Sequence, residues 1–386
     1  MNKVFAALLL LCLILSSANF NLCIANPYGP PNTLLIAIQA DGTVAPANSS
    51  LKHVGGNQYV LTENLTGTVV SVFERYYYRI NIEKDDIVLD GANHTIDGYG
   101  RVGIEIAYRN NVTVQNIMLS CYDIGIEIFC SSNINVTGSS ISPGQWAILV
   151  SNSSKLVIAE NSFADIHMQT ALDIKYSSSA IIYGNNFSCR QNEGGFISGL
   201  YMEYCQNNRI IANTITGFYS GITLLNSSNN HFSQNNFVDN NIQARDLLRE
   251  KLYQKNNETN TQQNEELLKR NFTKLVRPVW DYSNNVWKNN YWSNYNGSAG
   301  SDGVGNSPYI IDELNVDKSP FTSIVTLEQA IPLSSINFNN ISTEEEGEVD
   351  YSEYSPAILA SAVIIGISTA FTAIFYKKRA KKKTTV

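Results

Sequence analysis

The phrase GIEI occurs twice, at Gly103 and again at Gly125, and a looser version continues down the chain. A small residue followed by apolar–x–apolar stands at Gly103-Ile104-Glu105-Ile106, Gly125-Ile126-Glu127-Ile128, Ala147-Ile148-Leu149-Val150, Ala171-Leu172-Asp173-Ile174, Gly199-Leu200-Tyr201-Met202 and Gly221-Ile222-Thr223-Leu224. The intervals are 22, 22, 24, 28 and 22 residues. A second column, Asn-x-apolar, runs through Asn116, Ser139, Asn161, Asn185, Asn213 and Asn235 at intervals of 23, 22, 24, 28 and 22. Two columns that keep one irregular spacing define a repeat. The period inside each phrase is two, so the pieces are short strands with alternate side chains on opposite faces.

Strands of three or four residues cannot bury an apolar face alone. Stacking coil on coil at about 4.8 Å solves this, with parallel ladders supplying the backbone hydrogen bonds. A coil of about 22 residues holds three short strands and three turns, one rung of a right-handed parallel β-helix. A leucine-rich repeat has a similar length but needs a Leu-x-x-Leu-x-Leu-x-x-Asn pattern that is absent. The expected fold class is therefore all-β. Ile104, Ile126, Ile148, Leu172, Leu200 and Ile222 should share one inward file. Asn116, Asn161, Asn185, Asn213 and Asn235 should form a structural ladder, each amide bonding up the stack.

The regular repeat occupies residues 86–243. Residues 26–85 suit an N-terminal cap, 244–277 are charged and read as a helical or flexible insertion, and 278–326, dense in Trp and Tyr, suit a C-terminal cap. The ends carry addressing signals. Residues 1–25 read as a secretory signal peptide. Residues 327–355 read as an acidic disordered stalk, 356–376 as a transmembrane helix and 377–386 as a basic cytoplasmic tail. The expectation is a single-pass protein of the cell membrane with its body outside. Twelve Asn-x-Ser/Thr sequons agree with export, Asn64, Asn111, Asn135 and Asn186 among the glycosylation candidates. The net charge is −7, and six cations lie in the last ten residues, which leaves −13 for the rest. Such a body has no basic stripe for nucleic acid, and no nucleic-acid partner is expected.

Within this frame the segments ADGTVAP, VLTENLTGTVV and IEKDDIVLDGANHTIDGYG, with NNYWSNY and SDGVGNSPYIID near the other end, resemble NosD-type β-helix proteins, part of the carbohydrate-binding and sugar-hydrolase β-helix group. Surface-anchored members of this kind are similar to proteins abundant in archaea. The resemblance covers about residues 34–322 without the insertion and implies an extracytoplasmic site. Copper handling is attached to some members and does not transfer by fold.

The residues present several candidate chemistries. Glu105 and Glu127 share an outward position on adjacent rungs, and Asp173 joins the column after Leu149 interrupts it. Carboxylates one strand spacing apart approach the ~5–5.5 Å of a retaining glycosidase. Tyr99, Tyr108, Tyr201 and Tyr219 offer rings for sugar stacking. Asp302, Asn306 and Asp312 offer oxygens for Ca²⁺, and no other cofactor is expected. For copper, only His167-Met168 places two soft ligands side by side. The expected function is a membrane-anchored module binding or organising carbohydrate or another cell-envelope component. The alternative is a polysaccharide lyase or glycoside hydrolase using the surface carboxylates, and a lesser alternative is NosD-like metal (copper) handling.

Overall fold

Parallel pairing of short strands, rung upon rung, builds the coil, and antiparallel pairs join Ile36–Ile38 to Val44–Ala45, Leu51–Gly55 to Gln58–Leu61 and Tyr309–Ile310 to Val316–Asp317. The structure, a computed structural model, describes residues 35–65, 78–142, 144–164, 170–189, 197–247, 284–312 and 315–336. One compact unit spans Met1–Phe338; the second, Asn339–Val386, lies outside the described residues, as do the expected signal peptide and transmembrane helix. Among the described residues no helix is long and apolar enough to cross a membrane.

Each coil contributes to three faces. The first face stacks Tyr78–Ile82, the second half of Thr95–Ala107, the second half of Met118–Phe129, Trp146–Ser151, Thr170–Lys175, Ser198–Glu203, Ser220–Leu225 and Ile242–Asp246. All of these neighbours pair in parallel. The second face runs from Ile87–Asp90 through Asn110–Gln115 and onward to His231–Ser233 and Val286–Lys288. The third carries Ser140–Ser142, Ser162–Phe163, Asn186–Ser188, Thr214–Thr216, Asn236–Val238 and Tyr291–Trp292.

The inward file on the first face reads Ile80, Ile104, Ile126, Ile148, Leu172, Leu200, Ile222 and Ala244 in strict register. From Ile80 to Ile222 each is 0% exposed. Burying an aliphatic side chain of this size is worth roughly 1.5–3 kcal/mol, so the file stabilises strands that have no stability of their own. On the third face the file changes to rings, where Phe163 packs on Phe187 and Phe237 stacks on Trp292 at 4.3 Å.

At one corner a second device replaces apolar burial. Asn161 N and Nδ2 both donate to Asn185 Oδ1 at 3.0 Å. Asn185 does the same to Asn213, Asn213 to Asn235 and Asn235 to Asn290. Each Nδ2 also donates inward to a strand carbonyl, from Val136 O at Asn161 to Phe232 O at Asn290. The ladder ends on Asp317, fully buried, whose Oδ2 accepts from Asn290 N and Nδ2 and from Trp292 Nε1. Two further ladders, absent from the sequence expectations, hold the corner between the first and second faces. Asn208, Asn230 and Asn285 form one, and Ser131, Ser153 and Ser177 form the other. Cys205 takes a serine's place in the latter file, its amide donating to Ser227 Oγ and its thiol to Ile174 O and Glu203 O.

Three expectations need correction. Asn116 is not in the ladder. Ser139 Oγ accepts from Ile117 N, so the true interval is 22 and the odd value of 23 marked a one-residue slip. Asn116 sits in the preceding left-handed corner, φ 52°, and donates to Asp90 Oδ1. Second, the coil is longer than 86–243. Ile36–Ile38 pairs in parallel with Tyr78–Ile82, and Ala244, expected in the insertion, lies in a strand because its small apolar side chain continues the inward file. After residues 248–283, which are not described, Val286–Lys288 and Tyr291–Trp292 resume parallel pairing. Third, the stalk does not begin at 327. Residues 325–336 lie against the outside of the coil. Val325 exchanges two hydrogen bonds with the Asn236 side chain, and Leu333 and Ile336 pack on Ala159, Ile181, Tyr183 and Ile211.

Asn213→Ala removes the acceptor for both Asn185 donors in a buried site. An unmet buried donor costs about 1–3 kcal/mol, so a loss of roughly 2–5 kcal/mol in chemical denaturation is expected, and a loss below about 1 kcal/mol contradicts the ladder's role.

Candidate functional site

The outward file of the first face gathers most of the unusual side chains. In register it reads Asn81, Glu105, Glu127, Leu149, Asp173, Tyr201, Thr223 and Arg245. Because strand side chains alternate, the next file on the same face lies two residues on and includes Lys175 beside Glu203. Trp146 aligns with Thr170 in the file on the other flank.

Asp173 is the centre of this strip. Its residue is 5% exposed although it points away from the coil interior. Oδ2 lies 3.6 Å from Lys175 Nζ, and the same Nζ lies 3.8 Å from Glu203 Oε2. The Tyr201 hydroxyl donates to Glu203 Oε2 at 3.4 Å, and Lys175 Nζ stands 5.5 Å from the Tyr201 ring centroid. Asp173 Oδ1, also buried, has no hydrogen-bond partner of ordinary length. Burial pushes the Asp173 carboxyl up to about 6, against the opposing pull of Lys175 and the nearby Trp146 side chain. Burial likewise raises the Tyr201 phenol, helped by the charges of Glu203 and Asp173.

Above this point, Arg245 Nε donates to Thr223 Oγ1 at 3.2 Å and its guanidinium lies 5.5 Å from the Tyr219 ring centroid. Below it, Glu127 is ion-paired with Arg101 at 3.4 Å, and burial raises its carboxyl while Arg101 opposes.

The strip thus unites Glu105, Glu127, Asp173 and Tyr201 in one file, with Tyr219 at its edge through Arg245. Tyr108 stands elsewhere, at the left-handed corner with its ring edge on Phe129. The Tyr99 side chain and His167-Met168 lie outside the described residues. Asp302 Oδ1 accepts from Val304 N, Asn306 Oδ1 from Ser298 N and Asp312 Oδ1 from Asn315 N. Each of those three oxygens serves a local turn. Among the described residues no group of three or more His, Cys, Asp or Glu could hold a metal ion. Of the sequon residues, Asn64, Asn111 and Asn186 are exposed and Asn135 is half-buried.

Trp146, Lys175, Glu203 and Arg245 were missed by the sequence reading. The signal lay across the repeats, because the positions two after Asp173 and Tyr201 in their shared column bring Lys175 and Glu203 side by side.

Residues 80–237 match the family model described as a right handed beta helix region. Together with the ladders this defines the class as a right-handed parallel β-helix. No curated protein matches the chain. Among solved structures, the periplasmic alginate epimerase AlgG, as its D317A mutant, matches at 14% identity and a TM-score of 0.33, over 50% of this chain and 60% of the epimerase. Tailspike protein 3 of bacteriophage CBA120 matches at 12% identity and 0.23, over 47% of this chain and 38% of the tailspike. The chain spans less than two thirds of either.

A carboxyl raised from 3.8 to about 6 favours the protonated native state between those values. Stability from this residue is full below about pH 4 and lost as pH rises to about 6. Asp173→Asn removes that slope and should gain on the native chain above pH 6 by on the order of 3 kcal/mol. Denaturant melts at pH 4.5 and 7.5 check this; an unchanged difference between the two proteins contradicts it.

Proposed function

We propose that the chain is an extracytoplasmic carbohydrate-binding β-helix, carried at the cell surface by residues 356–376, whose ligand lies along the outward strip of the first face. One observation carries this reading: the half-buried rings of Trp146 and Tyr201 flank the Asp173–Lys175–Glu203 cluster on a rigid sheet. Rings supply apolar area for the flat face of a sugar, and paired charged groups beside them bond its hydroxyls. The side chains sit on strands paired in parallel with a neighbour on each side, so little ordering entropy opposes binding.

Cleavage of the bound chain is a second reading, favoured by Asp173. A carboxyl held at about 6 is suited to general acid work near neutral pH. Glu203 lies within about 7 Å of it, since both carboxylates touch one Lys175 Nζ at 3.6 and 3.8 Å. That upper bound includes the ~5–5.5 Å of retaining glycosidases as well as the lower part of the roughly 6.5–9.5 Å range of inverting ones.

Retention of the purified full-length protein in gels containing polysaccharide tests the binding. Trp146→Ala and Tyr201→Ala, with melting unchanged by more than a few degrees, should each weaken retention at least about tenfold, the loss of about 1.4 kcal/mol. Equal migration of variants and native protein in every gel contradicts the reading. New reducing ends from native protein but not from Asp173→Asn would establish cleavage.

A further inference from the structure

Asp173 Oδ1 carries an inference that rests on the carbohydrate reading and narrows it. The oxygen is buried on a residue only 5% exposed, it has no partner at ordinary hydrogen-bond length although the Trp146 side chain acts on the same carboxyl, and it belongs to the outward file. Its sister oxygen is already engaged by Lys175. A buried carboxylate oxygen left unbonded costs about 1–3 kcal/mol or more, and a ligand that donates to it recovers that cost. We propose that the strip selects an uncharged, hydroxyl-rich hexose chain over a polyuronate, with one sugar hydroxyl donating to Asp173 Oδ1.

The charges around the point decide the class. The Lys175 ammonium lies between two carboxylates, Asp173 at 3.6 Å and Glu203 at 3.8 Å, so it is already neutralised and cannot serve a ligand carboxylate without giving up a partner. Arg101 is likewise paired with Glu127. Glu105 and Glu127 extend the same file towards earlier rungs, and the body of the chain is strongly acidic. A polyuronate would bring one carboxylate per sugar onto this surface and meet repulsion along its length. A metal ion is disfavoured as well, because the Lys175 ammonium already stands where a cation bridging Asp173 and Glu203 would sit. A hydroxyl meets neither obstacle: it donates to Oδ1, and the sugar face rests on Trp146 or Tyr201.

The groups facing Asp173 are Lys175 on its own strand, Trp146 on the same face, and Tyr201, Glu203 and the Cys205 thiol on the next coil. A hydroxyl donor favours the ionised carboxylate, so binding and protonation oppose each other. Affinity for a neutral chain should fall as pH drops through about 6.

Calorimetry with the full-length protein and three hexasaccharides, a β-glucan, a mannan and an oligogalacturonate, tests the proposal at pH 7.5 and 5. Either neutral probe should bind at pH 7.5 at least about tenfold more tightly than the uronate and weaken at pH 5. Asp173→Asn, which keeps the fold by the stability argument above, should abolish the pH dependence and lose at least about tenfold in affinity. A uronate that binds as tightly as the neutral probes overturns the selectivity and leaves the binding module standing. Neutral binding that is indifferent to Asp173→Asn overturns the assigned hydroxyl contact. If none of the three probes binds, while gels of any polysaccharide still retard the protein, the hexose assignment alone fails; without retardation both readings fail.

Discussion

Vertical register between successive coils is what every other feature here requires. The inward file from Ile80 to Ile222 and the amide ladder from Asn161 to Asp317 are two expressions of it, one apolar and one polar. Neither works within a single coil. A strand of six residues such as Thr170–Lys175 has no local nucleus, and its stability comes from the strands on either side. The polar ladder has a further property: each asparagine satisfies two donors of the coil before it, so a break leaves unmet donors in a site closed to water.

The same register makes a surface. A file that aligns isoleucines inside must align Glu105, Glu127, Asp173 and Tyr201 outside, since the two files are consecutive residues of the same strands. The coil therefore converts residues 22 to 28 apart into neighbours at one strand spacing and holds them there rigidly. That is how Asp173, Lys175, Tyr201 and Glu203 come to form one bonded cluster, and how a carboxyl on an outer face comes to be buried enough to titrate near 6.

Much of this could be read from the chain, and the misses have physical causes. Alternation with period two and a shared spacing in two columns were enough for the fold and for the inward file, because both are properties of single positions. Asn116 was misplaced because an asparagine is equally at home in a left-handed corner and in a ladder, and only the interval of 23 told them apart. Residues 327–336 were read as stalk from the acidic sequence that follows. Their anchorage depends on a patch made by Ala159, Ile181 and Ile211, outer residues of three different coils, which no local window contains. The carboxylate column was legible in outline, but Lys175 and Glu203 belong to the adjoining file, and their pairing appears only when coils are laid over one another. The burial of Asp173 has no signature in the sequence at all.

Hydrogen exchange read residue by residue tests the vertical register most directly. The account predicts that the backbone amides of Asn161, Asn185, Asn213 and Asn235, bonded only to side chains one coil away, exchange together and as slowly as the strand amides of Ile148 and Leu172. Exchange of those four amides at the rate of solvent-exposed corner residues, with the strand amides still protected, would contradict it.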